Sequence, residues 1–173
     1  DIVTGYLTDE EAWKAIKQYI SAIQVKNNLQ NSQLGILGHY YNGMLDVYTD
    51  ITLQQTVFGC HFHFIEMCEL KKCRDEIAEK DISDKIMQFG TVFEISAECE
   101  KKEVYRAAKT AGALDKLMSA YRLDGLAYYY EGVDGNDYED IMTSVIAGNT
   151  ILTANNIPIA GECEVKNLIA MKI

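Results

Sequence analysis

Two periodicities alternate along this chain, and that alternation limits its fold more than any other feature. Short apolar runs at Gln33–Gly38, Cys60–Met67, Asp124–Tyr130 and Ile157–Ala160 read as strands. Between them lie stretches whose apolar residues recur every three to four positions, the spacing of one helix face. The clearest spans Glu100–Tyr121, where Val104, Ala108, Ala111, Leu114, Leu117 and Met118 fall on one stripe. Helices are also expected from Thr8 to about Asn27, over Met44–Phe58, Asp81–Phe93 and Ile141–Ala154, and from Val165 onward. Strands separated by a whole helix cannot form tight hairpins, so they pair in parallel. The expected fold class is α/β: a mainly parallel sheet flanked by helices on both faces. It would be a Rossmann-like or flavodoxin-like three-layer unit forming a single domain over residues 1–173.

Local signals place some ends. Thr8 and Glu11 fit a capping box, with Thr8 as the cap of the first helix. Asn28–Ser32 is polar and reads as a loop, and Gly59 suits the C-terminal cap of the Met44–Phe58 helix. The chain opens on Asp1 without a methionine and closes on Ile173 inside an apolar, helical run. A segment of a longer protein is therefore expected, with an N-terminal helix within residues 1–30 packing on parts outside it.

Charge narrows the partners. The formal net charge is −10, which repels a phosphate backbone and argues against nucleic acid. No apolar stretch reaches membrane-spanning length, so no membrane partner is expected. Cys60, Cys68, Cys73, Cys99 and Cys163 are odd in number and lack C-x-x-C spacing. They read as reduced thiols, and the expected location is cytoplasmic.

In parallel sheets, ligands sit at the carboxyl ends of strands, which directs attention to the residues after Leu37, Met67, Tyr130 and Ala160. Glu162 follows the last strand directly. It is a candidate hard-metal ligand or acid/base group; the plainer reading is an acid at a helix start, favoured by the dipole. His39 could touch a substrate or simply bond loop backbone. His61 and His63 share one side of a strand and could begin a metal site, but no third ligand is evident. The acidic loop holding Asp134, Asn136, Asp137, Glu139 and Asp140 does not fit the EF-hand spacing and reads as a solvated turn. No phosphate-binding glycine motif follows any strand.

Three stretches carry a resemblance. Ile157–Lys166, IPIAGECEVK, is similar to the G-I-P-x-A-G-E-G-D-x-K segment of L-arabinose isomerases and their relatives. Leu34–Thr52, LGILGHYYNGMLDVYTDIT, resembles the G-x-x-G-H-x-Y-x-G-M-L-D-M-Y-x-D-x-T segment of that group, and GLAYYYEG (Gly125–Gly132) resembles it more weakly. The match is colinear over nearly the whole chain and suggests an internal, central-domain segment of an L-arabinose/L-fucose isomerase-like protein.

The resemblance implies aldose–ketose isomerisation of a sugar through an ene-diol, with a divalent metal, usually manganese (Mn2+). It assigns Glu162 to metal ligation and the proton shuttle, and Met44 and Tyr130 to the sugar pocket, with His39 assisting polar recognition. The family's next glycine is Cys163 here and its aspartate is Glu164. The family's metal site also needs a second glutamate and two histidines from further along the chain, so the isolated segment is expected to be inactive. Assembly as a homo-oligomer is implied for the longer protein. Met44 otherwise reads as core filler and Tyr130 as a buried strand residue. The alternative to an enzyme is a non-catalytic sugar-binding or assembly domain.

Overall fold

A computed structural model of the chain describes residues 2–173. The elements run α1 (Glu10–Asn31), β1 (Gln33–Gly38), a 3-10 turn (Leu45–Val47), α2 (Ile51–Phe58), β2 (His61–Ile65), α3 (Met67–Asp75) and α4 (Glu79–Val92). They continue with α5 (Lys101–Tyr121), β3 (Gly125–Tyr129), α6 (Asp137–Met142), α7 (Ile146–Ala154), β4 (Ile159–Ala160) and α8 (Val165–Lys172). The four strands form one sheet in the order β2-β1-β3-β4, every pair parallel. The fold is α/β, as the alternating periodicities predict.

Strand alternation divides the core into layers. Leu34 and Ile36 of β1 face one side and pack with Phe62, Ala127, Leu168 and Ile169, so α8 and the end of α1 cover that face. Leu37 and Leu126 face the other side and pack with Leu70, Leu114, Leu117 and Leu152, under α3, α5 and α7. A third cluster, including Ile82, Phe89, Ala108 and Ala111, fastens α4 to the outside of α5.

Several ends differ from the sequence reading. Asp9, not Thr8, caps α1: its carboxylate accepts from the Glu11 N–H at 3.1 Å and the Ala12 N–H at 3.4 Å. Residues 28–31 belong to α1 rather than a loop, because Leu29 is buried in the sheet face and draws the last turn inward. Leu29 is the single buried residue of α1, and Trp13, Tyr19, Ile20 and Ile23 are exposed. The expected Met44–Phe58 helix is a 3-10 turn and a separate helix, since Asp50 accepts from the Leu53 N–H at 2.9 Å and starts α2. Gly59 does cap α2, in the left-handed conformation. The expected Ile141–Ala154 helix breaks between Met142 and Ile146, where Ser144 bonds back to the carbonyls of Asp140 and Ile141.

Candidate functional site

The strand order reverses between β1 and β3: β2 lies on one side of β1 and β3 on the other. In parallel α/β sheets, ligands commonly bind at the carboxyl edge beside such a switch point. The segments after β1, β3 and β4 meet there through backbone bonds. The His39 N–H donates to Tyr129 O at 3.1 Å, the Tyr41 N–H to Glu162 O at 3.4 Å, and the Cys163 N–H to Tyr128 O at 3.0 Å. Gly38 makes the first contact possible. Its φ is +82°, and a Cβ there would lie 2.0 Å from Tyr129 O, so only glycine fits.

Four predicted residues reach this edge. His39 is exposed, its Nδ1 lies 2.8 Å from Tyr40 O, and its ring lies 5.8 Å from Tyr129 and 6.2 Å from Tyr130 between centroids. Tyr130 follows β3 rather than sitting in it, half-buried, with its ring edge-on to Tyr138 at 5.3 Å. Met44 is exposed, not core filler; its N–H donates to Tyr41 O at 3.3 Å, which links it to the segment that holds Glu162. None of these three lines the roomy grooves between α4 and α5 (about 760 Å³) or along α1 (about 810 Å³).

Glu162 has the most unusual surroundings. Its φ is +55° and that of Cys163 is +56°, two consecutive non-glycine residues in the left-handed region. Each costs roughly 1–2 kcal/mol against an ordinary conformation. Glu162 Oε2 is buried and has no hydrogen-bond partner within the chain. The helix-start role belongs to another residue: Glu164 is the N-cap of α8 and accepts from the Lys166 N–H at 3.0 Å. The dipole reading of Glu162 therefore fails, and its carboxylate sits in a turn ahead of the helix.

Tyrosines and a thiol surround that turn. The Tyr129 hydroxyl donates to Glu131 at 2.9 Å; burial first, then this bond, push its pKa up to about 12. Burial also raises Tyr128, with the Glu162 charge adding to the rise. Burial pushes the Cys163 thiol up to about 12, with the Glu164 charge adding, so it stays protonated and unreactive. All three stay protonated and neutral through the physiological range.

The other candidates resolve into structure. His61 and His63 stack edge-on at 4.6 Å, and His63 Nε2 lies 2.8 Å from Gln33 Oε1, with no third ligand. The acidic loop is not simply solvated. Asp140 pairs with Arg74 at 2.5 Å and Arg106 at 3.1 Å, Asp137 lies 3.7 Å from Lys71, and Asn136 caps α6. These pairs tie α6 to α3 and α5. Among the described residues no three or more His, Cys, Asp or Glu side chains converge as a metal site. No described helix is long and apolar enough to cross a membrane.

Sequence reasoning missed Asn149 of α7, 8% exposed, with neither side-chain amide atom in a hydrogen bond of ordinary geometry within the chain. Its amide does come close enough to the Tyr128 hydroxyl to oppose the effect of burial on that phenol. Leaving such a group unpaired costs about 1–3 kcal/mol. The signal was available: an amide within the mainly apolar Ile146–Leu152 run, where Thr150 is the other polar residue. No protein-family model matches the chain, and no curated protein matches it.

Proposed function

We propose that this chain is a domain of a metal-dependent aldose–ketose isomerase of the L-arabinose/L-fucose type, working through an ene-diol proton shuttle. The observation that carries the reading is Glu162: a carboxylate at the carboxyl end of β4, held in strained backbone, with one buried oxygen unpaired. A carboxylate with a free oxygen at the carboxyl edge beside a switch point is a group that can take up and return a proton. In this reading Glu162 takes the proton from C2 of the aldose and returns it to C1 of the ene-diol, while the O2 hydroxyl proton passes to O1. Met44 and Tyr130 give the apolar wall, and His39 bonds a sugar hydroxyl.

An unpaired buried carboxylate oxygen fits a hard divalent ion such as manganese. When bound, the ion would polarise the sugar's O1 and O2 and stabilise the ene-diolate. This chain contributes a single ligand toward it, so the other ligands would come from outside these residues, and the chain alone would not turn over. A homo-oligomeric, cytoplasmic enzyme is part of the same proposal.

The lone ligand also favours a second reading, a non-catalytic sugar-binding or assembly domain. Ketose formation separates the two. The complete protein is incubated with manganese and a panel of aldoses. Turnover that a chelator abolishes supports the isomerase; none on any sugar from folded, metal-loaded protein moves the assignment to the binding domain.

A further inference from the structure

An open groove of about 500 Å³ runs between α7 and β4, lined among others by Tyr128, Ile146, Asn149, Thr150, Ile159 and Gly161. Gly161 on its rim is the neighbour of Glu162, but neither His39, Met44, Tyr130 nor Glu162 lines it. None of its lining residues is charged, so it offers nothing to a phosphate or an ammonium group. Beneath it lies Asn149, more than nine-tenths buried, with neither its carbonyl oxygen nor its amide nitrogen in a hydrogen bond of ordinary geometry, although the Tyr128 hydroxyl lies close to the amide. Buried polar groups in folded proteins nearly always find partners, so an amide left short of them under an open groove marks a place where a partner binds.

The chemistry of the lining selects the partner. The amide presents an acceptor and donors side by side. The Tyr128 hydroxyl beside it adds a neutral donor, and Ile146 and Ile159 add apolar surface. Adjacent hydroxyls on a carbon chain match this set: each can donate and accept, and their C–H faces suit apolar walls. We propose that the groove between α7 and β4 is a binding site for a small neutral polyol, held by the Asn149 amide and the Tyr128 hydroxyl. The amide atoms lie just beneath the groove floor, so binding includes a turn of the Asn149 side chain into the groove. Beside Gly161 the space is open, with nothing within 4 Å of where a Cβ would stand. The inference stands on the groove's own residues and does not need the isomerase reading.

Xylitol is the probe, because it carries adjacent hydroxyls and has no carbonyl to isomerise. Titration of the ¹⁵N-labelled chain should give saturable shifts of the Asn149 side-chain amide and of the Thr150 and Gly161 backbone amides. Asn149→Leu fills the space with an apolar group and should weaken binding at least tenfold, with circular dichroism unchanged. Should that variant misfold, Tyr128→Phe removes a single hydroxyl and should weaken binding as well. Xylitol binding is read without any turnover, so failure of the catalytic proposal is read separately. Absence of shifts at decimolar xylitol, unchanged affinity in a folded Asn149→Leu, or ordered water alone at the amide in a xylitol-soaked crystal would each overturn the proposal.

Discussion

At Glu162 and Cys163 the backbone takes a conformation that side chains resist, and both residues keep it. The resemblance places glycine where Cys163 stands, and φ of +56° gives that glycine a physical reason: it has no Cβ to strain. Cys163 accepts the strain while burying its sulfur at 1% exposure. Cys163→Ala should therefore be less stable than Cys163→Gly, the reverse of the usual order, because both lose the sulfur and alanine alone keeps the strain of roughly 1–2 kcal/mol. Urea unfolding of both variants checks this; alanine as the more stable one would mean that the left-handed conformation is not held in solution. Glu162→Gln keeps the side chain's shape and removes its charge. It should leave the melting temperature within a few degrees of wild type and, in the complete protein, cut turnover by about 100-fold or more. Wild-type turnover in that variant would end the assignment of Glu162. The sequence pointed to Glu162 through its place after a strand, but the burial of Oε2 depends on segments distant in sequence, and no local pattern reports it.

Elements were legible where one face is continuously apolar. The α5 stripe satisfies that, and Leu114 and Leu117 are each 1% exposed. Ends were less legible where two capping residues stand together, as Thr8 and Asp9 do, or where a short polar stretch hides a new start, as at Asp50. Helix α3 is hidden in the sequence, although Glu66 and Glu69 form its capping box, because the apolar run of the preceding strand reads on through Met67. Two helical glycines show how packing decides what an added side chain does. A Cβ on Gly148 of α7 would lie 3.0 Å from the Cα and Cβ of Ala111, where α5 and α7 cross closely; a Cβ on Gly90 of α4 would meet nothing within 4 Å. Gly90→Ala should stabilise by about 0.5–1 kcal/mol through helix propensity. Gly148→Leu should destabilise by about 1–3 kcal/mol through overpacking. Denaturant midpoints of the pair test the crossing: a stabilising Gly148→Leu would show that α5 and α7 separate easily.

The whole molecule adds what no single element carries. Strand order cannot be read from the periodicities, yet it is what brings Gly38, Tyr129 and Glu162 to one edge. The same assembly buries groups that are neutral when protonated. Burial is the main cause raising the pKa of Cys60, Cys163, Tyr40, Tyr128 and Tyr129, with Cys163 and Tyr129 both reaching about 12. For these groups the folded pKa lies above the unfolded one, so above the ordinary thiol value of 9.0 the unfolded chain holds fewer protons. Stability is then fully present below that pH and is lost as pH rises toward about 12. The urea midpoint should stay level to about pH 8 and fall steadily through the alkaline range. A chain of net charge −10 also grows more self-repulsive as its lysines deprotonate, which acts in the same direction. Salt separates the two causes, because it screens surface repulsion and leaves burial untouched. The alkaline fall should persist in molar salt and become shallower in Cys163→Ala. A fall that molar salt removes would place its origin on the surface, and the buried phenols and thiols would then not control the alkaline limit of this fold.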